Sequence, residues 1–220
     1  MDEVQVLFPV VRENSMNTVL THELMRFNCL LSKILTTLDD LRAAQHGQIL
    51  MTDQLSATRL QLVQGFVPDS WLEVSYPTMK PLASYVRDLA LRIMTLRQWV
   101  NEQKPPEVFW LSGFFFTQSF LTAILQNYAR KHQIEIDALQ FQFKFVNQED
   151  PTDHETEVFS MHTATGRGLV VEPPHDGALV SGLYFEGCRW DYDNMCITEQ
   201  HSKQLYSKVP IIWLKPKEVR

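Results

Sequence analysis

The sequence predicts an α+β fold, in which a helical bundle is followed by an antiparallel sheet or barrel. Before residue 135, apolar residues recur every three or four positions, the period of an amphipathic helix. After that point they recur at every second position, the period of a half-buried strand. Helices and strands that are segregated along the chain are typical of this fold class. We therefore predict a helical subdomain over residues 1–135 and a β subdomain over residues 136–220.

The longest predicted helix covers about residues 15–46. Asn14 or Ser15 can cap its start, and Gly47 supplies the left-handed residue that often follows a helix. The stripe fits a core helix or a coiled-coil seam, and the helices that follow directly in the sequence favour the core helix. Its apolar positions alternate steps of four and three: Leu20, Leu24, Phe27, Leu31, Ile34, Leu38 and Leu41.

Three further helices are predicted before residue 135. Thr52 or Asp53 can cap the first, Pro81 suits the first turn of the second, and Thr117 is the predicted cap of the third. The first ends at Pro68, and Lys104-Pro105-Pro106 breaks the second. The predicted apolar positions are, in order, Leu55, Leu62, Val63 and Phe66; Leu82, Val86, Leu89, Ile93, Leu96 and Val100; and Phe120, Leu121, Ile124, Leu125 and Tyr128.

Strand patterns fill the remainder of the chain. In residues 140–145 every second residue is phenylalanine and its neighbours are polar, which predicts a strand with one buried face. Turns are predicted at residues 166–168 and 174–177, where glycine and proline cluster. The further predicted strands are Val158–Thr163, Ala178–Phe185, Met195–Thr198 and Ile211–Leu214.

Composition excludes several functional classes. The net charge of −6 argues against nucleic acid and anionic membranes as partners, since both need clustered positive charge. No apolar run reaches the roughly 18 residues of a membrane span, and the N-terminus lacks a signal-peptide pattern. Three widely spread cysteines favour a reducing compartment, which disfavours the alternative of a Cys188–Cys196 disulfide.

The search for catalytic motifs finds none that is complete. No glycine begins a phosphate-binding loop. His22-Glu23 opens like a zinc-protease helix, but Arg26 stands where the second histidine is needed. Asp191 begins a pattern like a calcium loop, but the required glycine and glutamate are absent. His154, His162 and His175 lack ligand spacing. We therefore predict no catalytic residue, no cofactor ligand and no metal ligand.

Residues 108–116 contain five aromatic side chains in nine positions. Such a cluster joins two layers of a core, or it serves as an aromatic anchor for another domain. The residues predicted to serve in the core or as an anchor are Trp110, Phe114, Phe115 and Phe116. Leu20, Leu24 and Phe27 of the long helix are further candidates, because a long apolar stripe can serve either role.

Five segments have uncommon sequences. They are S-M-N-T-V-L at residues 15–20, Y-P-T-M-K-P-L at 76–82, F-W-L-S-G-F-F-F-T-Q-S-F-L-T at 109–122, G-L-Y-F-E-G-C-R-W-D at 182–191 and P-I-I-W-L-K-P at 210–216. In this order they resemble the C-terminal region of axonemal dynein heavy chains, which reads Y-P-S-L-K-P-L, F-W-L-S-G-F-F-F-x-Q-x-F-L-T, G-L-F-L-E-G-A-R-W-D and P-V-I-W-L-K-P. Trp190 of the fourth segment joins the core or interface candidates.

The resemblance implies a domain downstream of the sixth AAA+ module of a very large microtubule motor. In that family, helices and an incomplete antiparallel β-barrel lie against the AAA+ ring of the same heavy chain. ATP and magnesium belong to upstream modules, as does microtubule binding, so this region needs no cofactor. Other dynein-complex subunits are partners of the parent protein, and the implied location is the cytoplasm and cytoskeleton, in the axoneme of a cilium or flagellum.

The chain departs from the family pattern in two side chains and in its length. Thr117 and Cys188 stand where proline and alanine are usual. The family continues with further strands beyond W-L-K-P, so an unpaired sheet edge is expected if the chain ends at Arg220.

Two functions from different classes follow. The first is a non-catalytic domain that braces the ring of an ATP-driven, minus-end-directed motor. The second is a small enzyme or ligand-binding domain that uses Glu186, Asp191 and His175 inside the barrel. No spacing brings two of these side chains together, which favours the first function.

Overall fold

The computed structural model describes residues 6–11, 14–146 and 174–219. It divides into two compact units. The first unit consists of Met1–Val10 and Asn17–Asn101, and the second of Val11–Met16 and Glu102–Arg220. The predicted strand Val158–Thr163, the turn at 166–168, and His154 and His162 lie outside the described residues.

Four helices belong wholly or mainly to the first unit: α1 Ser15–Gln45, α2 Asp53–Val63, α3 Asp69–Leu72 and α4 Leu82–Glu102. The predicted long helix is confirmed, and so are its ends. The Asn14 side chain accepts a hydrogen bond from the Met16 amide at 3.0 Å, and Gly47 has a φ of 69°. Thr52 caps α2 by accepting from the Leu55 amide at 3.2 Å.

The buried face of α1 differs from the predicted stripe. Leu20, Phe27 and Leu41 are buried as predicted, but Leu24 is half-buried and Leu38 is exposed. Further buried positions include Glu23, Leu30 and Thr37, one residue before each of the predicted leucines Leu24, Leu31 and Leu38. The buried Thr37 hydroxyl is satisfied because it donates to the Lys33 carbonyl at 2.6 Å. Apolar periodicity in a sequence does not detect a buried face that includes polar residues with satisfied hydrogen bonds.

The predicted stripes of α2 and α4 are wrong in part for the same reason. In α4 the buried side chains include the charged pair Asp88 and Arg92, whereas Val86 is exposed. In α2 the buried residue is Thr58, and two of the predicted apolar positions, Val63 and Phe66, are exposed.

The second unit contains α5 Thr117–His132 and the strands β1 Val108–Trp110, β2 Leu139–Phe145, β3 Ala178–Ser181, β4 Tyr184–Glu186, β5 Cys188–Asp191, β6 Cys196–Glu199, β7 Tyr206–Lys208 and β8 Ile212–Glu218. The largest sheet has the order β1-β3-β8-β2, and the pairs β4-β7 and β5-β6 are separate. All described pairings are antiparallel except β1 with β3, which is parallel. Helices followed by unclosed sheets confirm the predicted fold class.

The second unit begins before the predicted boundary at residue 135. β1 pairs with β3, and α5 contacts β2 and β8, so both elements pack with the sheet. The predicted strand 178–185 is broken at Gly182, whose φ is 83°. Thr117 is the first residue of α5 rather than its cap, because the N-cap position is held by Phe116.

Strand register settles two further predictions. Phe143 is 65% exposed and the most buried residue of β2 is Leu139, so the predicted aromatic face of this strand is not a closed core face. Cys188 pairs with Glu199 and Cys196 pairs with Asp191 in the β5–β6 hairpin. The two cysteines therefore point to opposite faces, and both thiols are free.

Within the described part of the chain, no helix combines the length and apolar composition that crossing a bilayer requires.

Candidate functional site

The motif segments of the second unit meet at Trp110. A β-carbon on Gly182 would lie 2.2 Å from Trp110 Cδ1, and one on Gly113 would lie 2.5 Å from Trp110 Cε3. The indole therefore packs directly on two glycine backbones. Parallel pairing of Trp110 with Ser181 sets this position. Segments 109–122 and 182–191 are thus parts of one packing unit.

The aromatic segment 108–116 faces mainly inward. Phe114 packs against Phe120 with ring centroids 4.7 Å apart, and Phe109 packs against Phe120 at 4.8 Å. Phe115 is half-buried, whereas Phe116 is exposed. Trp190, in a later motif, is buried and packs on Phe145 with ring centroids 4.2 Å apart. Among these candidates, only Phe116 is exposed, at 48%.

The segment at residues 76–82 supplies a buried polar cluster in the first unit. Tyr76 stacks on Tyr85, and the Arg92 guanidinium lies 3.8 Å from the centre of the Tyr76 ring. Asp88 accepts hydrogen bonds from Arg92 Nε at 2.7 Å and from Lys80 Nζ. Burial of Asp88 by itself would raise its pKa, but these donors outweigh burial and hold the pKa below its ordinary value. Burial raises the pKa of Tyr76, and the neighbouring Asp88 carboxylate raises it further.

Sequence reasoning missed this cluster, although a signal for it was present. Asp88 and Arg92 are four residues apart on one helix, the spacing at which opposite charges meet. The cluster fixes the loop before α4 to the helix itself, because Lys80 lies in the loop and Asp88 in the helix. Its role is to hold the motif segment in place.

The W-L-K-P segment holds the turn that precedes β3. Trp213 Nε1 donates to the Asp176 carbonyl at 2.9 Å, and a β-carbon on Gly177 would lie 2.1 Å from the Leu214 carbonyl oxygen. The Asp176 carboxylate accepts from Lys131 Nζ at 2.7 Å. Partial burial would raise the pKa of Asp176, but hydrogen bonds from Lys131, His132 and His175 lower it to about 2.

The first motif segment is anchored within the second unit. The Ser15 amide donates to Asn127 Oδ1 at 2.9 Å, and the Ser15 hydroxyl donates to Gln126 Oε1 at 2.8 Å. Arg130 Nη1 donates to the same hydroxyl at 2.7 Å. All three partners lie on α5, so this helix fixes the start of α1.

The apolar side chains of the long helix α1 are buried in part and exposed in part. Leu20 and Phe27 lie in the core, and Leu24 is half-buried beside them. An outward row at the edge of the same stripe contains Leu35, at 61% exposed, and Leu38, at 42%. Half-buried Leu31 lies between Leu24 and Leu35 in this row. An outward apolar row on a 31-residue helix is a candidate docking surface.

The residues of the alternative enzymatic site have separate local roles. The Asp191 carboxylate accepts from the amides of Asp193 and Asn194 and caps its own turn. A further hydrogen bond from the Asn194 side chain has the largest effect, and together with the amide bonds it lowers the pKa of Asp191. His175 contacts Asp176 and Lys131, and Glu186 is exposed on β4. Among the described residues, no group of three or more His, Cys, Asp or Glu side chains can hold a metal ion.

The fold and these motif contacts define a domain whose characteristic residues serve packing. Comparison with known proteins identifies the family. The family model for the C-terminal domain of the dynein heavy chain matches residues 1–220, and the protein belongs to this family.

Related proteins agree with this assignment. The chain is 44% identical over 218 residues to human dynein axonemal heavy chain 3, and the match covers 99% of the chain. It is 44% identical over 209 residues to rat dynein axonemal heavy chain 12, covering 95% of the chain, and 40% identical over 220 residues to mouse dynein axonemal heavy chain 1, covering 100%. The matches span 5%, 6% and 5% of these relatives, respectively.

The structure accounts for the departure at Thr117. Thr117 occupies the first position of α5. Proline is favoured there for its preset φ, and no intrahelical hydrogen bond is lost or gained by the exchange. Threonine therefore fits the same backbone.

Proposed function

We propose that this protein is a non-catalytic structural and regulatory domain of an axonemal dynein heavy chain. In this proposal it packs on the AAA+ ring of the same heavy chain and restrains the nucleotide-driven movements of the ring. ATP hydrolysis and microtubule binding belong to other parts of the heavy chain, and the place of action is the axoneme of a cilium or flagellum. The family membership of all 220 residues supports this role.

The outward row of α1 is the observation that carries the proposal. Leu35 and Leu38 are exposed on a helix whose other apolar residues Leu20 and Phe27 are buried in the core. An exposed apolar row needs a partner surface in the working protein. The start of the same helix is fixed within the second unit by hydrogen bonds from Ser15 and Arg130.

Cross-linking mass spectrometry of the intact heavy chain tests the proposal. The double variant Leu35→Gln with Leu38→Gln is expected to lose cross-links between α1 and upstream modules and to change the ATPase rate. The matched control is Thr36→Gln with Asp40→Asn, which alters two exposed polar residues of the same helix. Equal cross-links in the wild type and the leucine variant, with both folded, would contradict the proposed contact.

A further inference from the structure

Three lysine side chains share one face of the pair formed by β2 and β8. Lys144 lies opposite Trp213 in this antiparallel pairing. Residues directly opposite each other point to the same side of a sheet, and so do alternate residues of one strand. The six side chains of this face are therefore Gln140, Gln142, Lys144, Trp213, Lys215 and Lys217. We call them the lysine face.

The lysine face is the outward side of these two strands. On the opposite side Leu139, Ile212 and Leu214 are buried in the core of the second unit. The lysines and glutamines of the lysine face are exposed, and Trp213 is half-buried. Each of the charged heads is therefore accessible to a partner from solvent.

The three positive charges are not compensated by acidic side chains of the described part of the chain. None of its ion pairs includes a lysine of this face. Glu218 points to the other side of the sheet because it pairs with Leu139, and the Asp176 carboxylate is bound by Lys131. Like charges at neighbouring sheet positions repel each other. An anionic partner would relieve this repulsion.

Trp213 holds one of these charges in place. The Lys215 ammonium lies 5.1 Å from the centre of the Trp213 ring, within the range of a cation–π contact. The ring itself is fixed, because Trp213 Nε1 donates to the Asp176 carbonyl at 2.9 Å. A side chain that is already positioned loses less conformational entropy when it binds. Lys215 is therefore the best-ordered charge of the lysine face.

Spacing and charge indicate the kind of partner. Lys215 and Lys217 are alternate residues of one strand and are about 7 Å apart, which is also the distance between alternate side chains of any extended polypeptide. Lysine is a point charge that pairs well with a single carboxylate, whereas arginine suits bidentate recognition. The net charge of −6 repels duplex nucleic acid and anionic membranes, which extend far beyond one sheet face. A short acidic segment contacts the lysine face alone.

We propose that the lysine face binds an extended acidic segment of a separate protein, with glutamate or aspartate at every second position. Two carboxylates of the segment pair with Lys215 and Lys217, and Lys144 supplies a third charge from the neighbouring strand. The side-chain amides of Gln140 and Gln142 donate hydrogen bonds between these charges. This inference goes beyond the proposed function, because its partner lies outside the heavy chain and the outward row of α1 takes no part.

Lysine acylation of the intact heavy chain, read by mass spectrometry, tests the inference. The probe is a short peptide that alternates glutamate with serine, and the control peptide alternates glutamine with serine. We expect the glutamate peptide to slow acylation of the three lysines of the face and to leave Lys33 and Lys203, which are exposed elsewhere, unaltered. The protection should be lost at about 1 M salt, where charges are screened beyond about 3 Å.

A double variant then tests the assigned residues, with protection of Lys144 as the measure of peptide binding. Lys215→Gln with Lys217→Gln is expected to weaken binding about tenfold, the combined factor for two exposed ion pairs. The matched control is Lys33→Gln with Lys203→Gln, which changes the net charge equally and should bind like the wild type. Unaltered amide exchange along β2 and β8 shows that the sheet is retained.

Several outcomes would overturn the inference. Equal protection by the glutamate and glutamine peptides would show that charge is not recognised. Equal weakening in the two double variants would show that net charge acts, and not this face. Stronger protection of the same lysines by duplex DNA or by phosphatidylserine vesicles than by the glutamate peptide would assign another class of partner.

One further control concerns the acidic residues that follow β2 in the sequence. Acylation of the lysine face that is already slow without peptide, and that rises in Glu155→Gln with Glu157→Gln, would identify the chain itself as the occupant and overturn the inference. None of these outcomes bears on the contact proposed for Leu35 and Leu38, so failure of this inference leaves the proposed function standing.

Discussion

Single residues in the second unit are constrained by the close packing of backbone and ring. Gly182 has a φ of 83°, and a β-carbon there would collide with Trp110 at 2.2 Å. Gly187 has a φ of 70° but nothing within 4 Å of such a carbon. Gly182 is therefore required both by its backbone conformation and by the lack of space, whereas Gly187 is required by its backbone conformation alone.

We expect Gly182→Ala to lower the free energy of unfolding by about 3 kcal/mol, from the left-handed backbone together with overpacking. Gly187→Ala should cost about 1 kcal/mol, from the backbone alone. Urea unfolding followed by tryptophan fluorescence measures both. Equal costs for the two variants would show that Trp110 moves aside freely.

The Asp88 cluster predicts a pH dependence in the first unit. Because the folded pKa of Asp88 is depressed, its contribution to stability is present above its ordinary pKa of 3.8 and is lost as the pH falls through the folded value. Asp88→Asn should therefore cost about 3 kcal/mol near pH 7, the cost of breaking a buried ion pair. The difference between wild type and variant should shrink as the pH drops below 4, where Asp88 takes up a proton.

Urea unfolding from pH 7 to pH 3 measures that difference. The matched control is Glu107→Gln, which breaks the exposed pair of Lys104 and Glu107 at 3.8 Å and should cost less than about 1 kcal/mol. A difference between wild type and Asp88→Asn that stays constant with pH would show that the pKa of Asp88 is not depressed.

At the scale of elements, the sequence predicted helix positions well and helix faces poorly. The ends of α1 follow from local signals at Asn14 and Gly47, which act through the backbone nearby. Its buried face depends on tertiary partners, and it includes Glu23 and Thr37, which no apolar pattern selects. Strand β1 was missed because its three residues lie within an aromatic run that has no clear period. Its pairing with β3 is a long-range contact that local patterns do not encode.

Two neighbouring leucines of α1 test the observed face. Leu30 is fully buried, whereas Leu31, a member of the predicted stripe, is half-buried. Leu30→Ala should cost about 3 kcal/mol of unfolding free energy, and Leu31→Ala about 1 kcal/mol. Both substitutions replace leucine by alanine and so change the helix propensity by the same amount. Each therefore serves as the control for the other. Thermal or urea unfolding distinguishes them, and a larger cost at Leu31 would favour the predicted stripe.

At the scale of the whole molecule, the sequence alone revealed the resemblance to the family, but it did not reveal the candidate contact surfaces. The motif segments are recognisable because their residues fill specific places, as Trp110 does between Gly113 and Gly182. Phe66 was predicted as an apolar position of the helix that begins near residue 52, and it is 60% exposed, because exposure of a phenylalanine depends on which elements cover it. A surface that is completed by another part of a polypeptide has the same apolar composition as a core. Sequence pattern alone therefore cannot separate the two.

The last prediction concerns nucleotide binding by all 220 residues together. ATP carries a polyanionic phosphate group, and its recognition by a P-loop needs a loop of backbone amides with a lysine, a sequence that this protein lacks. The net charge of −6 adds long-range repulsion. We expect titration calorimetry of the 220-residue polypeptide with magnesium and ATP to give no heat of binding, and phosphate release to equal that of buffer. An intact heavy chain serves as the positive control. Stoichiometric binding with turnover by the isolated polypeptide would place a reaction centre in this domain and refute its assignment as a purely mechanical part of the motor.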